Sequence, residues 1–184
     1  MKHLSYKLVQ SQFGEIGILW QLKNEDAMIT RVFLPKSGKK MKCIIKNAHP
    51  DAVPSSISII DKICKKLENF LSGKPTDFSF GNIDLTQLYN FQKKVILIER
   101  QIPYGWVSTY GRLAKKLGHP GAARAVGTAL ARNPFPIIIP CHRVIRTDGS
   151  LGGFGGGWKL KRQLLEREGV RFDQEGRVVT DNVW

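Results

Sequence analysis

STYGRLAKKLGHPGAARAVGTALARNP, residues 108–134, decides the fold class. Ser108 and Thr109 are side chains that cap helix N-termini, and the segment they open runs to Gly118, a residue that ends helices. A second segment starts after Gly121 and stops at Asn133-Pro134. Two short helices about a glycine-bounded turn are the outline of a helix-turn-helix. Helix pairs are common, so the outline needs support from its side chains. In the second helix Ala122, Ala123, Ala125, Gly127 and Ala129 are small, and Arg124 is the one long side chain among them. Small residues suit close packing in a core, but an arginine in their midst argues against full burial.

Downstream, IIIPCHRVIRTDG (137–149) sets a cysteine against a histidine and an arginine at the end of a strand-like apolar run. A thiol is a weak nucleophile until it loses its proton, and a base or nearby cations promote that loss. Cys141 is therefore the candidate nucleophile and His142 its base. Side chains adjacent in sequence often diverge, so their contact runs through a water. The imidazole needs a carboxylate to orient it. Glu168 is the candidate on the last helix, KLKRQLLEREG, with Glu166 and Glu99 as solvated alternatives. Between them, GSLGGFGGGW places Phe154 among glycines. Glycines allow close backbone approach to a ligand, and a mobile loop rarely carries a buried-type aromatic, so this stretch reads as a pocket wall. The tail, VRFDQEGRVVTDNVW, reads as a small hairpin.

Upstream, LSYKLVQ, EIGILWQL and MITRVFL are apolar-rich runs separated by turn residues, as in an antiparallel meander. Residues 35–54, rich in Lys, Gly and Pro, read as loop. SISIIDKICKKLENFLSGKP then spaces Ile60, Ile63, Cys64, Leu67 and Leu71 as one helix face. Residues 74–85 read as irregular, and TQLYNFQKKVILIERQ as a helix with Leu88, Phe91, Val95 and Ile98 on one stripe. The division is 1–85, β-rich with a helix, and 86–184, mainly helical. The whole is α/β (α+β).

Lys and Arg number 29 against 15 Asp and Glu, a net charge of +14 that points to a polyanionic partner, nucleic acid above all. Residues 101–150 hold seven basic side chains and one acid, and KSGKKMKCIIK (36–46) holds five lysines and no acid. Three widely spaced cysteines do not suggest a disulfide framework. The start carries no apolar signal segment, and no run approaches the roughly 18 apolar residues of a membrane span. The expected location is cytoplasmic, or nuclear in a eukaryote.

With FQKKV, IPYGWVSTYGRLAKKLG, AARAVGTALARNPFPIIIPCHRVI, DGSLGGFGGG and the final LL..EG in order, residues 91 to about 170 resemble the O6-alkylguanine-DNA alkyltransferase family. The resemblance implies an N-terminal ribonuclease-H-like domain and a C-terminal domain with a winged-helix-like helix-turn-helix and an active-site loop. It implies that Cys141 accepts the alkyl group from O6 of guanine once and irreversibly, that His142 deprotonates it, that Glu168 holds His142, and that Asn133 braces the active-site turn. It further implies that Tyr110 donates its hydroxyl to guanine N3, that the backbone of Cys141 and Val144 accepts from the exocyclic amine, and that the Gly155 N–H donates to O6, with Phe154 beside it. Thr109, Tyr110, Ala123, Arg124 and Gly127 fall on the DNA-binding side, with Arg124 filling the gap left by a flipped base. The partner is double-stranded DNA containing O6-alkylguanine, with the protein a monomer, no cofactor and no membrane. Phe154 stands where many members carry Tyr, Gly155 where some carry Ser, and the Cys/His metal set of some members has no match here. Two other readings are a non-catalytic lesion-binding protein, against which Cys141 counts, and a Cys–His hydrolase, which leaves the basic helix pair without a role.

Overall fold

The computed structural model describes residues 3–184. The chain forms two compact units, Met1–Leu85 and Thr86–Trp184. In the first, β1 (Ser5–Val9), β2 (Ile16–Lys23) and β3 (Asp26–Phe33) form the antiparallel meander that the sequence suggests. A short β4 (Val53–Pro54) adds parallel to β1, so the sheet order is β3-β2-β1-β4. Ile16 to Gln21 of β2 are all buried, as a central strand covered on both faces requires.

The lysine-rich stretch read as loop contains a helix, α1 (Met41–Ala48). Its lysines conceal an apolar stripe, Met41, Ile44 and Ile45, at the i, i+3, i+4 spacing that places side chains on one face. Met41 and Ile45 are buried against Tyr6 and Leu19. Gly17 makes the approach of α1 to the sheet possible: a Cβ there would stand 2.7 Å from Ile45 Cδ1. The next helix, α2 (Ser58–Leu71), buries Ile60, Cys64, Leu67, Phe70 and Leu71, while Ile63 is only partly covered.

The second unit opens with α3 (Asn90–Glu99). Then come β5 (Ser108–Thr109), α4 (Tyr110–Lys116) and α5 (Ala123–Ala131). These helices pack about Val95, Ile102, Leu113, Ala114, Val126, Ala129, Leu130 and Val144. The buried face of α3 is Gln92, Val95, Ile96 and Glu99 rather than the wholly apolar stripe expected from the sequence. Gln92 is there for a physical reason: its amide donates to the carbonyls of Ala129 and Arg132 at the C-terminal end of α5, where helical partners run out. Beyond a 3-10 turn at Cys141–Arg143, β6 (Val144–Ile145) pairs in parallel with β5. The chain closes with α6 (Gly157–Arg167) and the expected hairpin, β7 (Arg171–Phe172) with β8 (Val178–Val179).

Candidate active site

Pairing of β5 with β6 ties the start of α4 to the residues just after Cys141. Thr109 caps α4, its hydroxyl accepting from the Arg112 N–H at 3.2 Å, and so fixes where Tyr110 begins the helix. The residues before Cys141 are buried as the sequence suggests, but they turn instead of extending. Ile137 adopts φ +75°, a conformation that a β-branched residue rarely takes. Asn133 holds this turn. Its Oδ1 accepts from the Phe135 N–H at 2.9 Å, and its Nδ2 lies 3.3 Å from both the Ile139 carbonyl and the Cys141 sulfur. The asparagine thus braces the loop and also touches the thiol.

Cys141 is 8% exposed. Burial pushes its thiol up to about 12, and the charge of Glu99 acts the same way, against the Asn133 hydrogen bond and Lys161. The cations do not, therefore, make a standing thiolate, contrary to what the sequence alone suggests. His142 and Glu168 do come together: Nε2 lies 2.7 Å from Glu168 Oε1, with both side chains buried. Arg143 adds a forked pair of bonds to the same carboxylate, from Nε at 2.9 Å and Nη2 at 3.1 Å, and the Gly105 N–H supplies another at 2.9 Å. Burial works to raise the Glu168 carboxyl, but His142 and Arg143 outweigh it and hold the group at about 2. Glu168 is therefore ionised, so Nε2 carries the ring proton it receives, and Nδ1 keeps its lone pair. Burial lowers His142, against the pull of Glu168, which keeps the ring in its neutral, basic form.

A cavity of about 720 Å³ opens over the thiol, walled by Tyr110, Arg124 and Gly127 on one side and by Gly152, Phe154 and Gly155 on the other. Gly152 has φ +69°, and a Cβ there would stand 2.7 Å from the Tyr110 hydroxyl, so glycine is required for the wall to meet the tyrosine. Burial raises the Tyr110 hydroxyl pKa, which keeps it a hydrogen-bond donor. Phe154 sets its ring edge-to-face with His142 at 6.3 Å.

Residues 90–170 match the 6-O-methylguanine DNA methyltransferase DNA-binding domain. Over 159 residues the chain is 36% identical to the methylated-DNA–protein-cysteine methyltransferase of Methanothermobacter thermautotrophicus, covering 86% of this chain and 82% of that protein. The chain belongs to the methylated-DNA–protein-cysteine methyltransferase family. The crystal structure of Mycobacterium tuberculosis O6-methylguanine methyltransferase superposes with a TM-score of 0.73 at 32% identity, covering 90% of this chain and 92% of that one. A structure of Mycobacterium tuberculosis OGT in complex with DNA gives 0.71 at 33% identity, covering 89% and 92%.

Within this methyltransferase fold the residues singled out from the sequence fall into two groups. Cys141, Tyr110, Ala123, Arg124, Gly127, Phe154 and Gly155 share the cavity, whereas His142 and Glu168 lie buried behind it. Val144 is also buried, and its carbonyl already accepts from Lys161 Nζ at 2.6 Å. Thr109 lies outside the cavity wall, with its hydroxyl spent on the cap. Of the small residues of α5, Ala129 faces the core. Glu166 is the solvated alternative that the sequence suggests, paired with Arg162, but Glu99 is fully buried. Sequence reasoning missed Arg143, Lys161 and the burial of Glu99. Lys161 could have been found: it precedes Leu164 and Leu165 by three and four residues, which sets it on the apolar face of α6.

Proposed function

We propose that this protein repairs DNA by taking the alkyl group of O6-alkylguanine onto Cys141, once per molecule. The observation that carries the reading is a buried thiol facing an open cavity, followed in the chain by a histidine that Glu168 orients and burial keeps neutral. The thiol of the free protein keeps its proton, so reaction waits for a seated substrate. His142 then takes the proton at its Nδ1 through a bridging water. The sulfur attacks the alkyl carbon, the S–C bond forms as the C–O6 bond breaks, and the electron pair passes to guanine. A proton from the Tyr110 hydroxyl neutralises the departing base, balanced by the one the thiol released. The thioether has no good leaving group, so the protein is spent.

The guanine reaches the cavity by leaving the duplex, and α5 is the element suited to open it. Ala123 and Gly127 keep its outer face thin, and Arg124 is exposed there to fill the space the base vacates. The Gly155 N–H donates to O6. The Val144 carbonyl keeps one lone pair for the exocyclic amine beside its bond to Lys161. Thr109 and the basic residues of 101–150 meet the backbone, so binding depends on salt more than on sequence. Residues 86–184 carry DNA binding and transfer, and 1–85 form a ribonuclease-H-like domain. All these groups lie on one chain, which fits a monomer acting where DNA is held, in the cytoplasm or a nucleus.

The test is the mass of the intact protein after mixing with a duplex containing O6-methylguanine. A stoichiometric gain of one methyl, located on Cys141 and absent from Cys141→Ala, is the expected result. An unchanged mass would return the protein to lesion binding without chemistry.

A further inference from the structure

Residues 182–184 take no part in the steps above, yet they are bound to the segment that presents Tyr110. Val107, the residue before β5, forms a parallel bridge with Val183. Its N–H donates to the Asn182 carbonyl at 3.0 Å, and the Trp184 N–H donates back to the Val107 carbonyl at 2.8 Å. Val183 packs on the cluster of Val107 and Ile145, and Trp184 on the core of α3, α4 and α5. Trp184 has further ties. Its main-chain oxygen accepts from the Ser108 hydroxyl at 2.9 Å and from Arg112 Nε at 3.0 Å, while Arg112 Nη2 reaches the Val183 carbonyl at 3.4 Å. Lys116 Nζ, one turn further along α4, lies 3.4 Å from the centroid of the Trp184 ring, a cation–π contact.

Ser108 and Arg112 stand two residues before and two residues after Tyr110. One oxygen therefore joins the chain on both sides of the tyrosine, and the Thr109 cap closes the interval between them. Ser108 is fully buried, so its hydroxyl needs the partner that Trp184 supplies. Tyr110 lines the cavity, and among the described residues nothing hydrogen-bonds its hydroxyl. The aim of that hydroxyl follows from where the backbone starts α4. Aim matters, because a displacement of about 1 Å at a reacting group can cost on the order of a hundredfold in rate. We propose that Trp184 is a positioning residue for alkyl transfer: its main-chain oxygen ties together the residues on either side of Tyr110 and so aims the hydroxyl at the departing guanine. The inference rests on the alkyl-transfer reading.

Reaction with free O6-benzylguanine tests this, because the free base asks for no DNA contact from Arg112 or Lys116. The rate constant is measured for the wild type, for Arg112→Gln, whose side chain is exposed, and for a chain ending at Asp181. Both variants should transfer the benzyl group several-fold more slowly. Each change is then repeated in a Tyr110→Phe background, where it should cost nothing further, since the hydroxyl it aims is gone. A loss that persists in that background, no loss in either background, or a wild-type rate that Tyr110→Phe leaves unchanged would overturn the proposal. No transfer by the wild type would instead overturn the alkyl-transfer reading. A second measurement separates aim from general loosening of the site. Iodoacetamide alkylates a thiol with iodide departing, and iodide needs no proton donor. Labelling of Cys141, told apart from that of the exposed Cys43 by peptide mass, should therefore run at the wild-type rate in both variants. A changed rate would mean that residues 182–184 hold the pocket as a whole, and the proposal would fall. This measurement decides the matter if Tyr110→Phe reacts too slowly to time, and Arg112→Gln carries both if the shortened chain does not fold.

Discussion

Glu168 serves several donors with one carboxylate, and both its oxygens are committed. The arrangement makes it the residue on which the orientation of His142 and the burial of Arg143 jointly depend. In Glu168→Gln the amide oxygen can still accept one bond, but the guanidinium loses its counter-charge inside the protein. Leaving one partner of a buried pair uncompensated typically costs about 3–5 kcal/mol. The variant should unfold at markedly lower urea at pH 7 and transfer alkyl groups slowly, since nothing then fixes the proton on Nε2. The folded carboxyl sits at about 2, below its ordinary 4.5, so its stabilisation is present above the ordinary value and drains away as pH falls towards 2. Urea curves at pH 7, 4 and 2.5 should show the gap between wild type and variant closing with acid. A gap of constant size would mean that the shape of Glu168, not its charge, holds the site.

At the scale of elements, α5 divides its labour by face. Val126, Ala129 and Leu130 are buried, while Ala123, Arg124, Gly127 and Thr128 line the cavity. Arg124 lines the cavity but is exposed, and the proposed function gives it the work of extrusion. Arg124→Ala should slow repair of duplex DNA much more than reaction with free O6-benzylguanine, which needs no flipping; equal losses on both substrates would assign Arg124 to the pocket instead. The same division explains what the sequence could disclose. The helix pair, the thiol with its histidine, and the glycine wall are local patterns, and each was legible where it stands. Three elements were hidden, each by a different local circumstance. The lysines around Met41, Ile44 and Ile45 masked α1. Gln92 and Glu99 displaced the apparent stripe of α3 by one position, Gln92 because α5 offers it carbonyls. The run at Ile137–Ile139 has strand composition, yet Asn133 bends it into a turn, and that bond set is invisible until the chain is folded.

The second unit as a whole converges on one sulfur atom. Cys141 follows the turn held by Asn133, leads into the strand that pairs with the start of α4, and lies beneath a wall pinned by Lys161. A change at Sγ is therefore transmitted to several elements together. A benzyl group there displaces the Asn133 amide from the sulfur, and Asn133 is what holds Ile137 in its unfavourable backbone conformation. Overpacking a well-filled site costs about 1–3 kcal/mol, and an amide left unpaired adds a comparable amount. Set against a total stability of roughly 5–15 kcal/mol, these are large losses. For a unit of this size each kcal/mol moves the midpoint by roughly 4–8 °C. Benzylated protein should consequently melt several degrees below free protein, and the loosened turn should weaken its hold on DNA. Melting curves before and after complete reaction with O6-benzylguanine, with Cys141→Ala exposed to the same reagent as control, measure the effect. An unchanged or higher midpoint in the reacted protein would mean that the adduct lies within the open cavity and leaves the Asn133 turn intact.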